Sequence, residues 1–291
     1  MTIINFDNNK TIDFGLEGSI VDFNMFEKTI EYFSDKKGIY REDPVIGLGI
    51  VGKGYPLHSH TDFFRPQQDM IRRKFPAAHL EDIQTTYKVA RKGAWALQNI
   101  TFPNVKHLID TGKHTTNLAL RNVSWHSVDS STSNNAVFGT MDFFCTNMDM
   151  SGEYSLVRKK NTKNFSMSKF ILELEKSVEE FYITARKYQA WANRGINTLE
   201  ASIVIDALPI ADRNKDKLKI LYQSEASIRG HNLWALYSTM TNYSNHTNNG
   251  FNIRRTSSDH VAQTMLKREF EVSSWIKNEE FMRLAANSLY G

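Results

Sequence analysis

Four cations fall within six residues at Arg158-Lys159-Lys160-Asn161-Thr162-Lys163, the densest basic run of the chain. Arg72-Arg73-Lys74 and Arg91-Lys92 form two further clusters, and aromatic residues lie among them, Trp125 and Tyr154 above all. Ammonium and guanidinium groups neutralise phosphates, and aromatic faces stack on bases. A groove for single-stranded nucleic acid needs that combination. A solvated loop beside ordinary core aromatics would use the same residues.

Other constellations offer less. Gly47-Leu48-Gly49-Ile50-Val51-Gly52 matches Gly-x-Gly-x-x-Gly, but Gly54 and Pro56 follow where a phosphate-binding helix should begin. The run reads as a turn beside a strand. His58, His60 and Asp62 alternate, so on an extended segment they would share a face able to seat a divalent ion. No third histidine or catalytic carboxylate stands at a recognised spacing, and a surface turn into Phe63-Phe64 is the stronger reading. His126-Ser127-Val128-Asp129-Ser130 holds every side-chain type of a hydrolase triad, yet neighbours on one strand cannot form the relay. Asp129 and Ser130 are expected to cap backbone N–H groups in a turn. Cys145 has no basic neighbour and reads as a buried thiol. The reading is therefore non-enzymatic, with no catalytic residue, metal or cofactor.

Composition sets the frame for these residues. At 291 residues, 41% hydrophobic and 23% charged, the chain has the balance of a soluble globular protein. No stretch approaches the roughly 20 apolar residues of a membrane span. The N-terminus lacks the basic and apolar regions of a secretory signal, and one cysteine allows no intrachain disulfide. The expectation is a cytoplasmic protein. Residues 1–50 carry nine acidic against five basic side chains, whereas 51–130 carry eleven basic against six acidic. A local basic excess of that kind attracts polyanions.

Elements must then position the cations. Phe23, Phe26, Ile30 and Phe33 step by three and four, which predicts a short helix over 22–33 inside an acidic N-terminal segment, 1–50. Four runs rich in aromatic, Val, Thr and Leu residues, 85–90, 94–102, 115–125 and 135–145, predict a strand meander. Phe170, Ile171, Leu174, Val178, Phe181 and Ala185 form one helical stripe, capped at Ser166 or Ser168 and closed by Gly195. Helical segments follow at 199–207, 215–225, 231–243 and 258–289, with a polar loop over 242–252. The fold class is α+β: a central, mostly antiparallel sheet meander, then a long helix and a helical C-terminal half, forming a single domain over 51–291.

The block Arg121-Asn-Val-Ser-Trp-His-Ser-Val-Asp-Ser-Ser131, with Val137-Phe138-Gly139 and Phe144-Cys145-Thr146-Asn147-Met148, resembles the phage/plasmid-like domain of unknown function. Asn232-Leu233-Trp234-Ala235-Leu236-Tyr237, with Thr241 and Tyr243, is similar to that family's C-terminal helix, so the resemblance spans about residues 85–285. The turn at 126–130 lacks the family's glycine and Met148 replaces another, which marks a divergent member. The family supplies no activity, only a setting in phages, prophages and conjugative plasmids. Strands followed by a long helix also resemble the core of the single-strand annealing recombinases, which pair strands without nucleotide hydrolysis. The resemblance implies a phage-type protein that binds or anneals single-stranded DNA in recombination or replication. Arg158, Lys159, Lys160 and Lys163 would hold phosphates, helped by Arg72, Arg73, Lys74, Arg91 and Lys92, and Trp125 and Tyr154 would stack on bases. A homo-oligomer in the host cytoplasm is expected, without a membrane partner. The alternative is an interaction module that redirects a host protein through the acidic N-terminal window and the loop near His246. A metal-dependent hydrolase at His58, His60 and Asp62 is the third option.

Overall fold

The structure, a computed structural model, describes residues 3–4, 11–12, 23–142, 148–149, 156–176, 178, 180–245, 251 and 258–286. A two-residue ladder, β1 (Ile3–Ile4) with β2 (Thr11–Ile12), precedes a three-stranded antiparallel sheet. That sheet runs in the order β3 (Met25–Ile30), β4 (Phe33–Arg41), β5 (Ile46–Gly52). Residues 25–30 and 33 are thus strand, which corrects the helix expected over 22–33. Phe23 and Met25 pack inward while Phe26 faces outward, so apolar residues on both faces erase the period-two signal and imitate a helical step. The expected boundary at residue 50 falls inside β5.

α1 (His60–Lys74) follows, and its start is a capping box: Asp62 N–H donates to Ser59 Oγ at 3.0 Å, and Ser59 N–H donates to Asp62 Oδ2 at 2.9 Å. After the short α2 (Ala77–Leu80) comes the main sheet. It orders β6 (Gln84–Ala90), β7 (Trp95–Asp110), β8 (Thr115–Ser127) and β9 (Asn134–Asp142), all antiparallel. Two short strands, β10 (Met148–Asp149) and β11 (Val157–Lys159), share the outer edge of β9. β7 slips register between Phe102 and Lys106, around Pro103, which cannot donate to the ladder. The α+β meander expected from the sequence is what folds.

Both faces of this sheet are covered. α1 and α3 (Met167–Lys176) lie on one, where Phe63, Phe64, Phe102, Phe138 and Phe170 interlock. On the other, Trp95, Leu97, Val123, Trp125 and Val137 meet Ala262, Leu266 and Phe270 of α8 (Ser258–Trp275). The helical half contains α4 (Glu180–Asn193), α5 (Thr198–Asp206), α6 (Asp212–Arg229), α7 (Leu233–Asn245) and α9 (Glu279–Ala286) around Tyr188, Trp191, Trp234, Tyr237 and Phe281. The predicted stripe from Phe170 to Ala185 is buried throughout, although it spans two helices, α3 and α4. The segment expected as one helix over 258–289 is likewise two, α8 and α9.

Charged groups join the halves. Arg229 of α6, fully buried, pairs with Asp142 at the end of β9 at 2.8 Å and with Glu225 at 2.9 Å. Arg121 of β8 meets Glu269 of α8 at 2.7 Å, beneath the same cover that hides Trp125. Desolvation leads the causes that lower the pKa of nearby Lys88, Glu269 opposing it. Buried pairs of this kind fix geometry more than they add stability, because each ion gives up its hydration.

Candidate nucleic-acid interface

One end of the main sheet gathers four loops. The 91–93 turn places Arg91, Lys92 and Gly93 all at positive φ, which pushes two long cationic side chains outward from a tight left-handed bend. Arg91 reaches Asp129 in the β8–β9 turn at 2.9 Å. That turn is stitched by Asp129 Oδ1, which accepts from Ser131 N–H, and by Ser127 Oγ, which accepts from Thr132 N–H, both at 3.0 Å. Asp129 thus has the turn role its sequence setting suggests. Ser130 sits at φ 62°.

Tyr55 links this turn to the other two loops. Its hydroxyl donates to Ser127 O at 3.2 Å and accepts from Asn161 Nδ2 at 3.0 Å. Burial, with the Asp129 charge nearby, raises the Tyr55 pKa, so the phenol keeps the proton it donates. Asn161 also donates to Pro56 O at 3.3 Å, which holds the 160–163 loop against residues 53–56. The Lys163 stem lies across Gly54: a Cβ there would stand 2.9 Å from Lys163 Cε. Arg158 donates from Nε to Ser133 Oγ at 3.4 Å. Arg91, Lys92, Arg158, Lys160 and Lys163 are therefore exposed around one end of the sheet, and Lys53 joins them. Lys53, Lys160 and Lys163 make no ion pair among the described residues. Lys53 went unread in the sequence; a lone lysine between Gly52 and Gly54 gives only the weak signal of a turn.

Below this end lies a buried pair of rings. His60 Nε2 is 2.8 Å from Gly93 O and its Nδ1 is 2.9 Å from His126 Nδ1. With both rings neutral, His60 donates to the carbonyl and His126 donates to His60, which leaves His126 Nε2 a buried lone pair without a partner. Burial first, then the neighbouring His60 and His58, hold the His126 pKa well below 6.5. This pair ties the start of α1 to the cationic 91–93 turn. His58, His60 and Asp62 do not converge: Asp62 caps its own helix and His60 points to His126.

The remaining candidates lie elsewhere. Arg72, Arg73 and Lys74 end α1, about 20 Å from His60 along a 15-residue helix. Lys74 faces Glu175 and Arg72 faces Asp69, each at 3.7 Å, and Arg73 lines a shallow groove with Asp69 and Glu175. Lys159 pairs with Glu173 at 2.8 Å. These four do not join the cluster. Trp125 is 5% exposed, its ring edge-on to Phe270 at 5.5 Å, which corrects its expected role as an open stacking surface. Both faces of its strand are covered, a fact that strand propensity alone does not reveal. Tyr154, Cys145 and the loop at His246 lie outside the described residues. The Gly47–Gly52 run is β5 itself, and glycine is required at 49 because a Cβ would come within 2.6 Å of Asp129 Cβ. Comparisons with protein-family profiles, with curated proteins and with solved structures return no match.

Proposed function

We propose that this chain is a non-enzymatic, phage-type protein that binds single-stranded nucleic acid, DNA in the first instance, in strand annealing, recombination or replication. One observation carries the reading: cations from three loops and from strand β11, Lys53, Arg91, Lys92, Arg158, Lys160 and Lys163, surround one sheet end, where Arg91 pairs with Asp129. Such a cluster neutralises several phosphates and releases their counterions. Strand pairing needs no nucleophile or general base. It needs neutralised backbones and open bases, which a homo-oligomer would present in series. The resemblance at residues 121–148 adds the phage setting.

Fluorescence polarisation with labelled single- and double-stranded oligonucleotides at two salt concentrations tests this. Affinity for the single strand should fall steeply with salt, with a log–log slope of about −0.7 per phosphate contacted. Reversing Arg158, Lys160 and Lys163 to Glu should weaken binding to all sequences alike and flatten that slope. Reversing Lys74 and Lys159, already paired with carboxylates, should do much less. Equal binding by the wild type and the triple variant would overturn the assignment.

A further inference from the structure

Trp125, the described ring expected to stack on bases beside the cation cluster, is covered. The outward face of the small sheet supplies what is missing. Strand alternation and register put Phe26 and Lys28 of β3, Lys36, Gly38 and Tyr40 of β4, and Ile50 of β5 on that face. Phe26 is 37% exposed and Ile50 62%, while the opposite face buries Ile39 and Val51 against Ala94 and Val128. The rings of Phe26 and Tyr40 stack nearly parallel, 15° apart with centroids at 5.3 Å.

Gly38 leaves room for the Tyr40 ring of this pair to lie flat. A Cβ at Gly38 would stand 2.6 Å from Tyr40 Cε2, and one at Gly47 would stand 3.7 Å from Tyr40 Cε1. The Tyr40 ring therefore lies along the sheet between two bare backbones instead of standing up from it. A ring lying flat beside a second parallel ring turns π-faces, not edges, to whatever lands on the sheet. Glycine within a strand weakens it, so two such positions around one tyrosine mark close packing of that ring.

The charges match the rings. Lys28 sits opposite Gly38 and Lys36 opposite Gly52, and both lysines are exposed. Lys53 continues the ladder, its N–H donating to Asp35 O at 2.7 Å, and Lys163 lies over Gly54 just beyond. From Tyr40 to Lys36 is four strand residues, about 13 Å. Lys28 and Lys36 thus share the face of the aromatic pair, and Lys53 and Lys163 stand at the adjoining end of the sheet. Rings on an open sheet with lysines between them stack bases while the cations follow the backbone.

We infer that the outer face of β3–β5 is a base-stacking platform for single-stranded DNA, with Phe26 and Tyr40 as the rings and Lys28 and Lys36 on the phosphates. This rests on the function proposed above and extends it to a surface that the cation cluster alone does not define.

The test is oligo-dT binding by the full-length chain at two salt concentrations. Phe26→Ala and Tyr40→Ala should each cut affinity roughly 5- to 100-fold with an unchanged salt slope, because they remove stacking and leave the charges. Phe26→Trp should keep or tighten binding. Gly38→Val should reproduce the Tyr40→Ala loss by lifting the ring, with folding checked by circular dichroism. If the wild type binds and these variants bind equally well, the platform is wrong while the cation cluster stands. If the wild type binds no DNA, both readings fail. Tighter binding of oligo-U than oligo-dT would overturn the DNA assignment, and a Phe26→Ala change confined to oligomeric state would reassign the face to self-association.

Discussion

His126 shows how one side chain can report on the site. Its ring is fully buried, hydrogen-bonded to His60, and held neutral by desolvation. In the unfolded chain it regains an ordinary pKa near 6.5. Below that pH the unfolded state binds a proton that the native ring refuses. Stability is therefore full above pH 6.5 and is lost as pH falls, by up to about 1.4 kcal/mol per unit, until the native ring itself protonates. Urea unfolding at pH 7.5, 6 and 5 should show midpoints falling with pH, and His126→Gln should flatten the trend. An unchanged trend in that variant would assign the acid sensitivity to other groups. Because His60 also holds Gly93, the same protonation should loosen the turn that carries Arg91 and Lys92.

At the scale of elements, the docking of the small sheet on the β8–β9 turn is decided at Gly49. A Cβ there meets Asp129 Cβ at 2.6 Å, with the Asp129 backbone Cα at 3.5 Å behind it, so neither side yields without moving the turn. Gly49→Val should cost about 1–3 kcal/mol by overpacking, read as a lower thermal midpoint, and should weaken DNA binding by displacing Asp129 from Arg91. Strand edges in the meander were legible because Thr, Val and aromatic residues cluster between turn formers, so 85–90 and 115–125 match β6 and β8 within two residues. α1 was not legible: Pro66 interrupts it and His58-Ser59-His60 imitates a strand. The available signal was Ser59 followed three residues on by Asp62, a capping box. β3 escaped because Phe26 faces water. That exposure hid the platform from sequence reasoning, since an aromatic residue is ordinarily assigned to a core. Of the cationic runs, position along the chain located the 158–163 group but could not show that Lys159 faces Glu173 or that α1 carries Arg72–Lys74 to its far end.

For the molecule as a whole, the modest net charge of +4 understates the local field. Among the described residues, Lys53, Lys160 and Lys163 at the sheet end make no ion pair, while Arg72, Lys74 and Lys159 are matched by Asp69, Glu175 and Glu173. Polyanions should therefore be drawn to one pole of the molecule. α8 adds a mechanical consequence. Its first turns, through Ala262, Leu266 and Phe270, belong to the core of the sheet, and its last turns, through Val272 and Trp275, belong to the core of the helical half. A single rod riveted into both blocks denies either one the freedom to melt first. Heating should give one calorimetric peak, with indole fluorescence and far-ultraviolet ellipticity changing together. Leu266→Asp, which pulls only the sheet-side rivet, should split that peak in two and leave the helical block to melt later by itself.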